Sequence, residues 1–469
     1  MLPVMSKSWL LVFVLGSAAC DGGPGATPDA ALPDAYVPGD ILAELQDLDG
    51  VTFVEERPTA QTGYRYFYVE LDQPVDHQNP GGQRFTQTMT LLHRDYAAPM
   101  VLGTTGYHNY WLDYFMEPTE LISANQLVVE HRFFADSRPD PANWDFLRVW
   151  QAASDHHRIV QAFRRLYAGR WLSTGGSKGG MTSIYHRRFF PDDVDATVAY
   201  VAPISFGVPD ARYLGFFDTV GTASCRQALH AAQREALSVR RAAMEALAQE
   251  RATAQGLTFL YSGGLEAAVE SDLAGFEWSF WQILGEESCA FIPPANATDQ
   301  EIFDFFNSAG GPADDGFLQL FMPYFFQTEV ELGYPGYGAS YLADLLIYTG
   351  VQPPSLFPDG FARDYDPTVM PDIQDWVATS GQGILFVYGE YDPWTAGAFA
   401  LGNASDSFSF VAAGASHYAG LFYLSPNDQA TAFNALERWS GVTPQVPLAG
   451  RPSRRPPWLT PPPRRLPRP

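Results

Sequence analysis

The sequence predicts an α/β architecture: a mostly parallel sheet with helices on both faces, interrupted by a large helical cap insertion. Three observations predict it. Short apolar runs alternate with helix-patterned runs from about residue 99 to residue 205, the order that builds parallel strands with crossover helices. A Gly-Gly-Ser-Lys-Gly stretch, Gly175 to Gly179, stands between one such run and one such helix. From residue 207 to residue 351 the strand rhythm stops, and it resumes at "GILFVYGEYDPW".

Each element has its own signal. "YRYFYVEL" and "FTQTMTLLHRD" alternate apolar and polar residues, as antiparallel strands with one wet face do. "APMVLGTTG" and "NQLVVEHRFF" carry unbroken apolar runs that suit strands buried on both faces. In "NWDFLRVWQAASDHHRIVQAFRRLYAG" the residues Phe146, Leu147, Trp150, Ile159, Val160, Phe163 and Leu166 recur at helical spacing. Gly169 stands where a helix C-terminus favours glycine. "RWLSTGG" then reads as a strand, "KGGMTSIYHRRFF" as a helix and "VDATVAYVAPIS" as a strand. Inside the insertion, "CRQALHAAQREALSVRRAAMEALAQERATAQG" reads as one long Ala-rich helix, followed by aromatic-dense helices. "SFSFVAAGASHYAG" and "NDQATAFNALERWSG" close the domain as a strand and a helix. The α/β part is expected over 41–206 and 352–442, with the cap over 207–351.

The ends read differently. "MLPVMSKSWLLVFVLGSAAC" has one Lys, an apolar run from Trp9 to Leu15 and small residues up to Cys20. That pattern is an export signal over residues 1–20. It resembles a bacterial lipobox, with Ser17 where leucine is usual, so a lipid on Cys20 would tether the protein to a membrane. The alternative is a plain signal peptide that releases it. Residues 21–40 are rich in Gly, Pro, Ala and Asp, a flexible linker. Residues 443–469 form a Pro-rich tail with six Arg and no acid, expected to be disordered.

Charge and cysteines narrow the function. The 469 residues carry a net charge of -24, which repels phosphate backbones and argues against nucleic-acid binding. Besides Cys20 there are two cysteines, Cys225 and Cys289. In an exported chain they suggest one disulfide, which contributes about 4 kcal/mol on a chain-entropy account; two buried thiols are the alternative. No Cys or His spacing suggests a metal, and no organic cofactor is implied.

The chemistry centres on Ser177. A serine hydroxyl needs a base to take its proton, and glycines at 175, 176 and 179 allow a sharp strand-to-helix turn that exposes it. The Lys178 N–H would then open a helix, placed to donate to an oxyanion. In this architecture the order is Ser, then acid, then His. His417 follows the last strand, whereas His186 and His230 sit in helices. Asp392, at a D-P-W turn after "ILFVY", is the acid chosen to orient His417. Glu390 is the fallback, and Asp372 is less well placed. The loop "VLGTTGYHNYW" after an early strand is expected to supply the second donor, the Tyr107 N–H.

"LSTGGSKGGMT", "VVEHRFFADSRP" and "YGEYDPW" together resemble the tripeptidyl aminopeptidase family of secreted bacterial serine peptidases, which is related to the prolyl carboxypeptidase and dipeptidyl peptidase II group. Lys178 stands where that related group has Tyr, and this favours the tripeptidyl branch. "FQTEVELGY" is similar to the related group's Q-T-C-T-E-F-G-Y, with Glu329 at the cysteine position. The resemblance implies an α/β-hydrolase fold and exopeptidase action on peptides with a free N-terminus. A substrate ammonium in such a cleft needs carboxylates, for which Glu130 and Glu331 are the candidates; a structural role for Glu130, paired with Arg132 or a buried Arg, is the alternative. The expected function is an exported serine exopeptidase releasing short peptides. A prolyl-specific peptidase, an esterase or lipase on the same machinery, and an inactive binding protein are the alternatives.

Overall fold

The computed structural model describes residues 39–109 and 113–445. One nine-stranded sheet organises it, in the order β1-β2-β3-β5-β4-β6-β7-β8-β9. The strands are β1 (Val51–Arg57), β2 (Arg65–Pro74), β3 (Arg84–His93), β4 (Met100–Thr104), β5 (Asn125–Val129), β6 (Trp171–Gly176), β7 (Ala196–Tyr200), β8 (Ile384–Gly389) and β9 (Phe408–Ala412). β1, β2, β3 and β5 pair antiparallel, and every pairing from β5 through β4 to β9 is parallel. Strands β4 to β8 are buried along their whole length, which is why they read as continuous apolar runs. Along β8 the side chains alternate between two cores. Leu385 and Val387 pack with Leu436 of the helix Pro426–Ser440, while Ile384, Phe386 and Tyr388 pack with Ile373 and Val377 of the helix Val369–Ser380.

The chain crosses from β4 to β5 on one side and returns to β6 on the other. The loops after β4 and β6 therefore flank a topological switch point at the C-terminal edge, where open α/β sheets place their ligands. Between β7 and β8 the chain leaves the sheet and forms the helices Ala223–Leu237, Arg241–Gln255, Leu265–Ser279, Asp299–Asn307 and Asp315–Gln327. The first four share a core of Leu229, Met244, Leu273, Phe276, Phe280, Trp281 and Phe306, while Asp315–Gln327 packs Phe326 with Phe133 and Trp144. Cys225 and Cys289 form a disulfide within it, with Cα atoms 5.5 Å apart.

Four features differ from the sequence reading. The expected single Ala-rich helix is two, ending at Leu237 and restarting at Arg241. The turn is held by Arg240, which pairs with Glu235 and with Asp299 of another cap helix, so packing overrides a uniformly helical propensity. The expected helix around Trp150 runs only over Val149–Phe163, preceded by a separate single turn at Trp144–Phe146. Gly169 therefore lies beyond the helix end rather than capping it. β1 and the helices Glu117–Ile122 and Val369–Ser380 were unanticipated. β1 is an edge strand whose seven residues are all intermediate or exposed, so it carries no buried run.

Candidate active site

Ser177 sits between β6 and the helix Lys178–Phe189 at φ 55° and ψ -127°, backbone that a non-glycine residue holds only under strain. Its N–H donates to Tyr200 O of β7 at 2.9 Å, which ties the turn to the sheet. The flanking glycines are required by contact. A Cβ on Gly175 would lie 2.4 Å from the Gly179 carbonyl carbon, and one on Gly179 would lie 2.4 Å from Thr104 O. The Lys178 N–H stands at the first helical position, where no intrahelical acceptor exists.

Asp392 and His417 meet at the same edge. Asp392 follows β8 and is fully buried. Its Oδ2 lies 2.7 Å from His417 Nδ1, and its Oδ1 accepts from Trp394 N–H at 3.2 Å within the D-P-W turn. With Nδ1 engaged, Nε2 is the nitrogen left for chemistry. Among the described residues the Ser177 hydroxyl forms no hydrogen bond, a looseness usual in unliganded sites. The other acids and histidines are engaged elsewhere. Glu390 is exposed and accepts from Gly414 N–H at 2.7 Å. Asp372 pairs with Arg188, His186 with Asp193 and His230 with Glu277.

The loop after β4 lies against the first turn of the Ser177 helix. Gly106 adopts φ +69°, and a Cβ there would sit 2.6 Å from the Lys178 carbonyl carbon. The Tyr107 N–H meets Thr105 Oγ1 at 3.3 Å, and Tyr107 O accepts from His131 N–H at 2.9 Å.

The two carboxylates expected to meet an ammonium have different surroundings. Glu130 is fully buried, and both its oxygens are taken. Oε1 accepts from Thr88 Oγ1, Ser137 Oγ and the N–H groups of Asp136 and Ser137 at 3.0–3.1 Å; Oε2 accepts from Asn109 N–H at 2.8 Å. This corrects the expectation of an open ligand: Glu130 braces the loops on either side of β5. Nor does it pair with Arg132, whose guanidinium makes a buried two-pronged contact with Asp155 at 2.6 and 2.7 Å. Burial pushes Asp155 up, but Arg132 and His77 outweigh it and hold the carboxyl below the usual range. Glu331 accepts from Val149 N–H at 2.7 Å through Oε2. Burial pushes it up to about 7.

Sequence reasoning missed two parts of the site. The cap turn Phe280–Leu284 is π-helical, and Gln282 O accepts from the His417 backbone N–H at 2.9 Å. An aromatic group, half-buried at Trp394 and Trp278 and fully buried at Tyr213, also stands beside His417. The Trp394 ring is 6.4 Å from the His417 ring, 5.1 Å from Trp278 and 6.0 Å from Tyr213. Cap aromatics at helical spacing read as core, and only the fold brings these three together.

A mostly parallel sheet with a strand–Ser–helix turn and an Asp–His pair on later strands defines a serine hydrolase of the α/β-hydrolase fold. More specifically, the chain belongs to the PS-10 peptidase S37 family, whose pattern matches residues 34–461. It is 40% identical over 433 residues to the prolyl tri/tetrapeptidyl aminopeptidase of Streptomyces mobaraensis, covering 91% of this chain and 90% of that protein. Solved structures of the Saccharomyces cerevisiae peroxisomal α/β-hydrolase Lpx1 and of a Mycobacterium smegmatis proline iminopeptidase are also similar, at 12% and 15% identity and TM-scores of 0.37 and 0.32. They cover 84% and 82% of this chain and 93% and 99% of their own.

Two outcomes follow from these positions. Asp392→Asn is expected to lower kcat by about 10⁴-fold, while Glu390→Gln stays within about twofold; the reverse ranking would move the acid to Glu390. Glu331 has a folded value near 7, above the free value of 4.5. Its contribution therefore favours folding fully below pH 4.5 and is lost as the pH rises through 7. Glu331→Gln should remove a loss on the order of 3 kcal/mol between those limits, read as a flatter dependence of urea midpoint on pH than in the wild type.

Proposed function

We propose that the chain is an exported serine exopeptidase that releases short peptides, tripeptides in the first instance, from free N-termini through an acyl-enzyme. The observation that carries this reading is the buried Asp392–His417 pair at the sheet edge that also bears the strained Ser177 turn. Ser177 Oγ attacks the scissile carbonyl. His417 Nε2 takes the proton and returns it to the leaving amine, and Asp392 holds the imidazole in the required tautomer. The Lys178 and Tyr107 N–H groups hold the oxyanion. Water then repeats the sequence on the acyl-enzyme and frees Ser177.

Chain-end selection is assigned to the cap, which contacts the catalytic loop through Gln282. Glu331, which has a single hydrogen-bond partner among the described residues, is the carboxylate assigned to the substrate ammonium. Trp394 and Trp278, backed by the buried Tyr213, offer flat faces that suit a prolyl ring at the cleaved residue, and the Streptomyces relative is named for prolyl peptides. The Cys225–Cys289 disulfide supports export to an oxidising compartment. Cys20, the proposed lipid tether, lies outside the described residues, as does the tail from residue 446; no helix among the described residues is long and apolar enough to cross a membrane.

Mass spectrometry of products from paired peptides with free and acetylated N-termini tests the reading. Tripeptides released from the free member alone are expected. Equal cleavage of both members would refute the aminopeptidase assignment, and ester turnover with no peptide cleavage would refute the peptidase.

A further inference from the structure

Lys178 follows the nucleophile directly, and its side chain has an unusual setting. Only 2% of the residue is exposed. Nζ donates to Gly106 O at 2.5 Å and lies 5.5 and 5.3 Å from the ring centres of Tyr107 and Phe134. Among the described residues no carboxylate pairs with it, and burial alone pushes the amine well below its usual range. A buried lysine without an acid is costly, so the contact it makes is where its value must lie.

That contact falls on one peptide unit. Gly106 C=O and Tyr107 N–H belong to the same planar trans amide, so fixing the carbonyl fixes the N–H in the opposite direction. Gly106 sits at φ +69°, and a glycine peptide can reorient at little steric cost. A flipped peptide would turn its carbonyl, rather than its N–H, toward a substrate oxygen. The neighbouring groups are already fixed: His131 N–H and Thr105 Oγ1 donate to Tyr107 O at 2.9 and 2.6 Å, and Glu130 holds Asn109 N–H. The Gly106–Tyr107 peptide itself has two ties: its N–H makes a long 3.3 Å contact with Thr105 Oγ1, and its carbonyl takes the shorter bond from Lys178.

We propose that Lys178 is a positioning residue that locks the Gly106–Tyr107 peptide at its carbonyl, so that its N–H keeps its direction when a substrate carbonyl takes the place of the long contact with Thr105 Oγ1. Residue 178 then serves both oxyanion donors, one through its backbone and one through its side chain. This rests on the reading of Ser177 as nucleophile and of the Tyr107 N–H as second donor.

Lys178→Met keeps the stem and removes the donor. Loss of an oxyanion donor costs about 10²–10³ in kcat, and a loosened donor should cost about 10–100-fold. KM and the affinity for a product tripeptide should stay within about threefold, while affinity for a peptide aldehyde, which forms the tetrahedral adduct, falls in parallel with kcat. In Lys178→Ala, added methylamine should restore part of kcat where sodium at equal ionic strength does not. A folded Lys178→Met with kcat within twofold of wild type overturns the proposal, as does an equal loss of aldehyde and product affinity. If neither variant folds by circular dichroism, Lys178 is a core residue and the proposal falls. A Ser177→Ala protein that still cleaves at the wild-type rate would sink the underlying reading separately.

Discussion

The site depends on a close approach of three backbone segments. The ends of β4 and β6 and the first turn of the Ser177 helix meet at distances that leave no room for a Cβ at Gly175, Gly179 or Gly106. That approach forces Ser177 into its strained conformation and brings the Tyr107 peptide beside the Lys178 backbone. Thr104 Oγ1 adds a direct tie, donating to Gly179 O at 2.7 Å. The strain is sustained because β6 is buried on both faces and paired on both edges, so relaxing the turn would mean breaking the sheet.

The cap belongs to the same structure rather than covering it from outside. A π-helical turn offsets one carbonyl from the helical ladder, and at Phe280–Leu284 the carbonyl of Gln282 reaches the backbone of His417. The next segment is tied back by the disulfide at Cys289 and packs Gly285 against Ser416. A second π-helical turn, Thr328–Leu332, carries Glu331. Each turn thus ends one cap helix in a contact with the α/β body, so cap position and histidine position are linked mechanically.

Much of this was legible in the sequence because the relevant signals are local. Met100–Thr104 and Ile384–Gly389 are unbroken apolar runs because parallel strands are buried twice over. Ser177 was found because its glycines are adjacent in the chain, and Asp392 and His417 because chain order orders the strand ends. What was not legible depends on partners distant in sequence. Glu130 reads as a free acid until Asn109, Ser137 and Thr88 close around it. The break after Leu237 is set by Asp299, more than fifty residues on. The role of Lys178 is invisible without the Gly106 carbonyl, and the Trp394–Trp278–Tyr213 group joins three segments.

The central claim, that Ser177 is a nucleophile activated by His417 and Asp392, is tested most directly by covalent labelling. The intact protein is treated with a fluorophosphonate and the adduct located by peptide mapping. A single adduct on Ser177, absent from Ser177→Ala and greatly slowed in His417→Ala, is the predicted result. A folded protein that takes no label, or takes it on another residue, would contradict it.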